Sequence, residues 1–197
     1  MDYQIFNEPF PHVIIENTFN EYELKLLWRE LDFLLDKLGD PEEYAAAQRD
    51  DDTYLTTAKG RSLDTLYGNR DVSDILKITQ DVFFTNKELY EELLKHNDYW
   101  VTWIESNADW TKVRRYYPGD GYEPHADYWV HVLITTTFCH AEDTGGNLYF
   151  PKHDYEIETK NNKTVIFPGW IQHAVTDVVE NDRYAITKFV QCDSKRG

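Results

Sequence analysis

His125, Asp127 and His173, with Tyr116 before them and Arg183 after, are the residues of this chain best placed by type and spacing to do chemistry together. In an extended strand alternate side chains share a face, so the two ligand-type residues of His125-Ala-Asp127 can reach one metal ion. His173 lies 46 positions past Asp127 (173 − 127), room for several short strands to return the chain to the same mouth. Two imidazoles and one carboxylate form the facial triad that holds Fe(II) on one side and leaves the opposite positions open for a chelating acid and O2. Arg183, ten residues further (183 − 173), opens the β-rich run Arg183 to Gln191. Its planar fork of donors suits bidentate capture of a carboxylate.

These residues sit in ordered stretches: Tyr116-Tyr-Pro-Gly-Asp-Gly-Tyr-Glu-Pro-His-Ala-Asp127, Gly145-Gly-Asn-Leu-Tyr-Phe-Pro151, His173-Ala-Val and Arg183 to Val190. The set resembles the iron(II)/2-oxoglutarate-dependent dioxygenases, in their prolyl 4-hydroxylase-like branch, over roughly the last 90 residues. The resemblance implies His125, Asp127 and His173 as iron ligands. It places Arg183 and the Tyr116 hydroxyl on the distal carboxylate of 2-oxoglutarate, and Tyr122 and His131 toward the substrate; Trp129, which flanks the same turn, is a further substrate candidate, with aromatic packing at the barrel mouth as the alternative. It further implies Fe(II), 2-oxoglutarate and O2 as the reacting set, with ascorbate as candidate reductant. Succinate and CO2 would be released as an unactivated C–H bond is hydroxylated, the acceptor being a prolyl residue of a peptide or protein.

The chain departs from the family at several positions. Arg183 stands where prolyl hydroxylases usually carry Lys, Leu148 replaces a Thr that helps to hold 2-oxoglutarate, and His131, Phe189 and Gln191 replace substrate-side residues. The cosubstrate site therefore matches better than the proline-peptide site. A hydroxylase of a free amino acid or other small molecule stays open as an alternative, as does a non-catalytic jelly-roll binding protein. Nucleic-acid demethylases of the superfamily use a second late arginine; the position six after Arg183 is Phe189.

Composition narrows the partners. With 20 basic and 36 acidic residues the net charge is −16, a field that repels phosphate backbones and disfavours a nucleic-acid substrate. The same field favours a basic or flexible partner. No run approaches the roughly 18 apolar residues of a membrane span, and the start, Met1-Asp-Tyr-Gln, lacks a basic, apolar signal pattern. Only Cys139 and Cys192 occur, so a disulfide framework is not expected and a cytoplasmic setting is.

The scaffold that must hold these residues divides at about residue 98. Residues 1–197 read as one domain, with an N-terminal strand and supporting helices over 1–97 and a β core over 98–192. Phe10 to Ile15 resembles an edge strand, and Asn20 with Glu23 resembles a capping box. Leu24, Leu27, Trp28, Leu31, Leu34, Leu35 and Leu38 recur at helical spacing until Gly39 and Pro41. Residues 40–70 are polar, either a loop over the site or a surface excursion, and Arg49-Asp-Asp-Asp52 reads as solvated loop. Two more helices are expected over 72–84 and 86–95, the second capped by Thr85. From Tyr99 onward short β-rich runs follow: 99–105, 110–117, 131–138, 147–150, 155–159, 163–167, 174–179 and 184–191. On residues alone the class is α+β, mainly β, closed or sandwiched. The resemblance sharpens this to a double-stranded β-helix (jelly roll) buttressed by the N-terminal helices.

Overall fold

The computed structural model describes residues 2–141 and 144–193, and two antiparallel sheets dominate it. The strands are β1 Asp2–Phe6, β2 His12–Glu16, β3 Lys59–Ser62, β4 Ala108–Tyr116, β5 Tyr122–His125, β6 Val132–Cys139, β7 Leu148–Phe150, β8 Tyr155–Ile157, β9 Lys163–Pro168, β10 His173–Val175 and β11 Arg183–Gln191. The larger sheet runs β1-β2-β9-β6-β11-β4-β3 and the smaller β5-β10-β7-β8. Two mainly antiparallel sheets with few helices are the jelly-roll architecture expected from the sequence.

Parity along the strands separates two interiors. On β11 the residues Arg183, Ala185, Thr187 and Phe189 face the space between the sheets, whereas Tyr184, Ile186 and Val190 join the core beneath the helices. β6 divides in the same way, with Leu133 and Thr135 inward and Val132, Ile134 and Phe138 outward. Both faces of these strands are therefore buried, which is why β6 and β11 read as near-continuous buried runs.

The helices are α1 Glu21–Leu34, α2 Leu63–Leu66, α3 Asp74–Phe84, α4 Lys87–His96 and α5 Val101–Ile104. α1 starts on the capping box: the Asn20 side chain accepts from the N–H groups of Tyr22 and Glu23, and Glu23 accepts from the Asn20 N–H at 2.9 Å. Its Leu27, Leu31 and Leu34 are buried against the outer face of the large sheet, together with Leu76 and Phe83 of α3. Each such side chain contributes roughly 1.5–3 kcal/mol on burial.

Several local expectations are corrected. The strand over 12–16 is not an edge, because β1 pairs with it along its whole length. Asn86, not Thr85, caps α4, accepting from the Leu89 N–H, while the Thr85 hydroxyl donates to the Asp81 carbonyl at the end of α3. Residues 99–105 are helical: the Asn97 side chain caps a 3-10 turn at Asp98–Trp100 that leads into α5. Trp100 and Trp103, three apart, thereby turn into the same core. Residues 40–70 hold β3 at the sheet edge and a segment in which Tyr44, Ala46 and Ala58 pack on Tyr116 and Tyr122. Asp50, Asp51 and Asp52 are exposed, as a solvated loop should be. Among the described residues no helix is long and apolar enough to cross a membrane.

Candidate active site

β10 pairs with β5 so that His173 stands directly opposite His125. The ring centroids are 4.4 Å apart, and His173 Nε2 lies 3.8 Å from Asp127 Oδ2. One donor atom from each of the three falls within 4.8 Å of the others, the one such group among the described residues. Both histidines are held in the same way. His125 Nδ1 donates to the Glu123 carbonyl at 2.8 Å and His173 Nδ1 to the Ile171 carbonyl at 2.9 Å. A carbonyl can only accept, so each Nδ1 carries the proton and each Nε2 presents its lone pair. Burial then depresses both pKa values, that of His125 strongly with the neighbouring His173 adding to it, and so keeps the imidazoles neutral as ligands must be.

Asp127 follows β5 in a turn tied to the chain segment before His173. Its N–H donates to the Gly169 carbonyl at 2.9 Å, and the Gly169 N–H donates to the His131 carbonyl. The two segments approach so closely that a Cβ at Gly169 would stand 2.5 Å from the Val130 oxygen. Glycine at 169 thus lets the Phe167-Pro-Gly turn seat His173 beside His125 and Asp127.

Arg183 lies at the inner end of the cavity between the sheets, 1 % exposed. β11 sets it opposite Tyr116 of β4, and its guanidinium sits 4.9 Å from the Tyr116 ring centroid. Nη1 is buried with no hydrogen-bond partner among the described residues, and burial presses the guanidinium pKa below its usual value. An unpaired buried cation is costly, so this is a place built for an anion. Gly146, at φ +65°, lies against the Arg183 side chain; a Cβ there would meet Arg183 Cδ at 2.6 Å. The donor set of the triad fits Fe(II), and the orphaned Arg183 fits the far carboxylate of 2-oxoglutarate.

The other candidates divide. Tyr122 lines the cavity with its ring stacked on His125 at 3.9 Å, while its hydroxyl accepts from the Ala47 N–H at 2.7 Å. Trp129 does not line the cavity. It is exposed and stacks on Trp110 at 4.8 Å, which stacks on the cavity-lining Phe189 at 5.3 Å. His131 is not on the cavity either: the turn at 126–131 breaks the parity with His125, and its Nδ1 meets Ser106 Oγ at 3.2 Å. Lys188, a possible stand-in for Arg183 as anchor, points to the opposite side of β11 and pairs with Asp109 at 2.8 Å. Leu148 lines the cavity as an apolar wall. Sequence reasoning missed Arg114, Thr135 and Thr187, all on the cavity wall. The signal for Arg114 was its two-residue spacing from Tyr116 on one strand.

Residues 111–191 match the family model described as the 2OG-Fe(II) oxygenase superfamily. No curated protein matches the chain. Among solved structures it is similar to a prolyl hydroxylase from Trichoplax adhaerens in complex with a hypoxia inducible factor peptide fragment, at 16% identity and TM-score 0.67, covering 94% of this chain and 85% of that one. It is similar also to the viral collagen prolyl hydroxylase of Paramecium Bursaria Chlorella virus-1 in its 2OG complex, at 13% identity and TM-score 0.61, covering 93% and 96%. A Pseudomonas putida prolyl-4-hydroxylase gives 13% identity and TM-score 0.57, covering 93% of each chain. At these identities the likeness is one of fold.

Proposed function

We propose that this chain, a 2OG-Fe(II) oxygenase with a prolyl 4-hydroxylase-like fold, hydroxylates a prolyl residue of a peptide or protein. The observation that carries the cosubstrate assignment is the buried Arg183 with its unpartnered Nη1, on the same cavity as His125, Asp127 and His173. In this reading the triad holds Fe(II), and Arg183 with Tyr116 holds the distal carboxylate of 2-oxoglutarate. Together Fe(II), 2-oxoglutarate and O2 supply oxidative decarboxylation to succinate and CO2 coupled to hydroxylation of an unactivated C–H bond.

The chain's own part is position and dryness. The backbone carbonyls of Glu123 and Ile171 fix both imidazoles with Nε2 toward the metal position. Leu133, Leu148, Phe167 and Phe189 give the cavity apolar walls that exclude water and strengthen the charge pairing at Arg183. Tyr122, beside His125, and the Phe189-Trp110-Trp129 stack at the outer end offer aromatic faces to a proline ring. Two structural neighbours named for prolyl hydroxylation of collagen and of a hypoxia inducible factor peptide support a peptide acceptor. Ascorbate is the reductant we assign for keeping the iron ferrous.

The test is succinate release by purified protein with Fe(II), 2-oxoglutarate and a panel of proline-containing peptides and free amino acids. At least one peptide should raise succinate above the peptide-free background, and Asp127→Ala should abolish that increase because a facial triad has no spare ligand. Turnover with a free amino acid and with no peptide would replace the prolyl-peptide reading by a small-molecule one.

A further inference from the structure

In a chain with a 16-charge excess of acid, the buried lysines find carboxylates: Lys188 pairs with Asp109 at 2.8 Å and Lys163 with Glu16 at 3.1 Å, whereas Arg183 and Arg114 have no carboxylate partner among the described residues. Arg114 is 7 % exposed, lines the cavity, and its Nε is buried with no hydrogen-bond partner among the described residues. Its guanidinium is surrounded by ring faces, 5.5 Å from the centroid of Tyr44, 5.4 Å from Tyr122 and 5.9 Å from Phe189. Such faces soften the cost of the buried charge without neutralising it.

Register places Arg114 between the anchor and the mouth. Along the inner face of β4 come Tyr116, Arg114, Lys112 and Trp110, opposite Arg183, Ala185, Thr187 and Phe189 of β11. Ala185, the smallest of these, leaves room in front of Arg114. Lys112 continues the cationic stripe outward, its Nζ donating to the Ala45 carbonyl and lying 5.1 Å from the Phe189 centroid.

Charge balance decides what the stripe is for. On the cosubstrate reading above, two charges of Fe(II) and one of Arg183 match the two carboxylates of 2-oxoglutarate and that of Asp127. The catalytic set is then neutral, and Arg114 remains as a surplus in a low-dielectric cavity where an unmatched cation is expensive, with the half-buried Lys112 beside it on the same strand face. We infer that the acceptor substrate is an acid that places a carboxylate on Arg114, with Lys112 as the outer partner of the same group. This deepens the proposed function and rests on its cosubstrate assignment. The carboxylate can come from a free imino or amino acid, or from an acidic side chain next to the target residue in a peptide. Outside, the acidic surface repels such a ligand at long range, so discrimination belongs to the cavity and not to steering.

The experiment compares acceptors that differ by one charge. Dissociation constants are measured by calorimetry, anaerobically, on protein loaded with Fe(II) and 2-oxoglutarate, for L-proline against L-prolinamide and for acetyl-Ala-Pro-Asp-amide against acetyl-Ala-Pro-Asn-amide. In at least one pair the additional carboxylate should tighten binding about tenfold or more, the range of a charge-assisted pair. Arg114→Gln should bring the two members of that pair to within about twofold, Arg114→Lys should keep part of the preference, and neither should move 2-oxoglutarate affinity more than about threefold. Preference confined to the proline pair identifies a free acid; preference in the peptide pair identifies an acidic neighbour.

No carboxylate preference in the unaltered protein overturns the inference, and that comparison stands even if an Arg114 variant fails to fold. A preference that survives Arg114→Gln overturns it too. Loss of 2-oxoglutarate binding in Arg114→Gln overturns it by assigning Arg114 to the cosubstrate. Failure of the unaltered protein to bind 2-oxoglutarate is a separate result: it removes the cosubstrate reading, and the acceptor pairs on Fe(II) protein then judge Arg114 alone.

Discussion

Tyr122 joins a metal-ligand candidate to the 44–58 segment: its ring stacks on His125 at 3.9 Å, and its hydroxyl accepts the Ala47 N–H at 2.7 Å. Tyr44, Ala46 and Ala58 of that segment pack on Tyr116 and Tyr122, so one side chain both lines the cavity and fastens the segment packed behind it.

Tyr122→Phe keeps the ring and removes the fastening. The Ala47 N–H loses its acceptor, at a cost of about 1 kcal/mol, while the stack on His125 persists. Metal affinity should stay within about twofold of the unaltered protein, and amide exchange across residues 44–58 should accelerate several-fold. Hydrogen exchange read by mass spectrometry checks this; unchanged protection over 44–58 would mean that the segment is held by its own Tyr44 and Arg49 contacts.

Gly146→Ala should act on the anchor from behind. At φ +65° an L side chain is strained, and its Cβ would press on Arg183 Cδ at 2.6 Å. Displacing a buried guanidinium by even a fraction of an ångström spoils bidentate geometry. The half-saturating concentration of 2-oxoglutarate should rise about tenfold or more while Fe(II) affinity is retained. Equal loss of both would point to general misfolding of the 145–150 strand.

Arg183 and Lys188 are five apart on one strand, an odd spacing, and so belong to opposite faces. Arg183→Ala should weaken 2-oxoglutarate binding about tenfold or more without a comparable loss of stability, because among the described residues that cation has no carboxylate partner to strand, only a 3.4 Å contact from Nε to the Thr159 hydroxyl. Lys188→Met should do the reverse. It leaves Asp109 buried with Arg70 alone, a break of the kind that costs roughly 3–5 kcal/mol, and should leave cosubstrate affinity intact if the fold survives at low temperature. Urea denaturation and 2-oxoglutarate titration on the two variants separate the roles.

The candidate metal-ligand cluster was legible in sequence because two of its members are near neighbours in the chain. His125 and Asp127 are kept together by their two-residue separation although β5 ends at His125 and Asp127 lies in the turn beyond it, and the leucine stripe of α1 needs only a helical period. What escaped was set by distant context. Arg114 shares a strand face with Tyr116 by its two-residue spacing, but that this face is the cavity wall is set by the pairing of β4 with β11. Tyr99 to Glu105 is aromatic and β-branched, yet Asn97 starts a helical turn there and the helix layer takes up Trp100 and Trp103. His131 lost its expected place because a six-residue turn intervenes, and β1 was missed because half of its side chains face solvent.

The last prediction concerns pH. His12, His125 and His173 all have pKa values below the ordinary histidine range, with burial the largest cause in each. In the unfolded chain each would titrate near 6.5. Below that pH the unfolded state takes up protons that the folded metal-free protein refuses, so stability, complete above about 6.5, falls as pH falls toward the depressed folded values. The limiting slope is about 1.4 kcal/mol per pH unit for each group, and most other carboxylates begin to contribute only below about pH 5. Urea unfolding of metal-free protein should therefore lose stability steadily between pH 6.5 and 5, and His12→Gln should flatten that slope without touching the triad. A free energy of unfolding that is constant across this window would show that the buried imidazoles protonate without resistance.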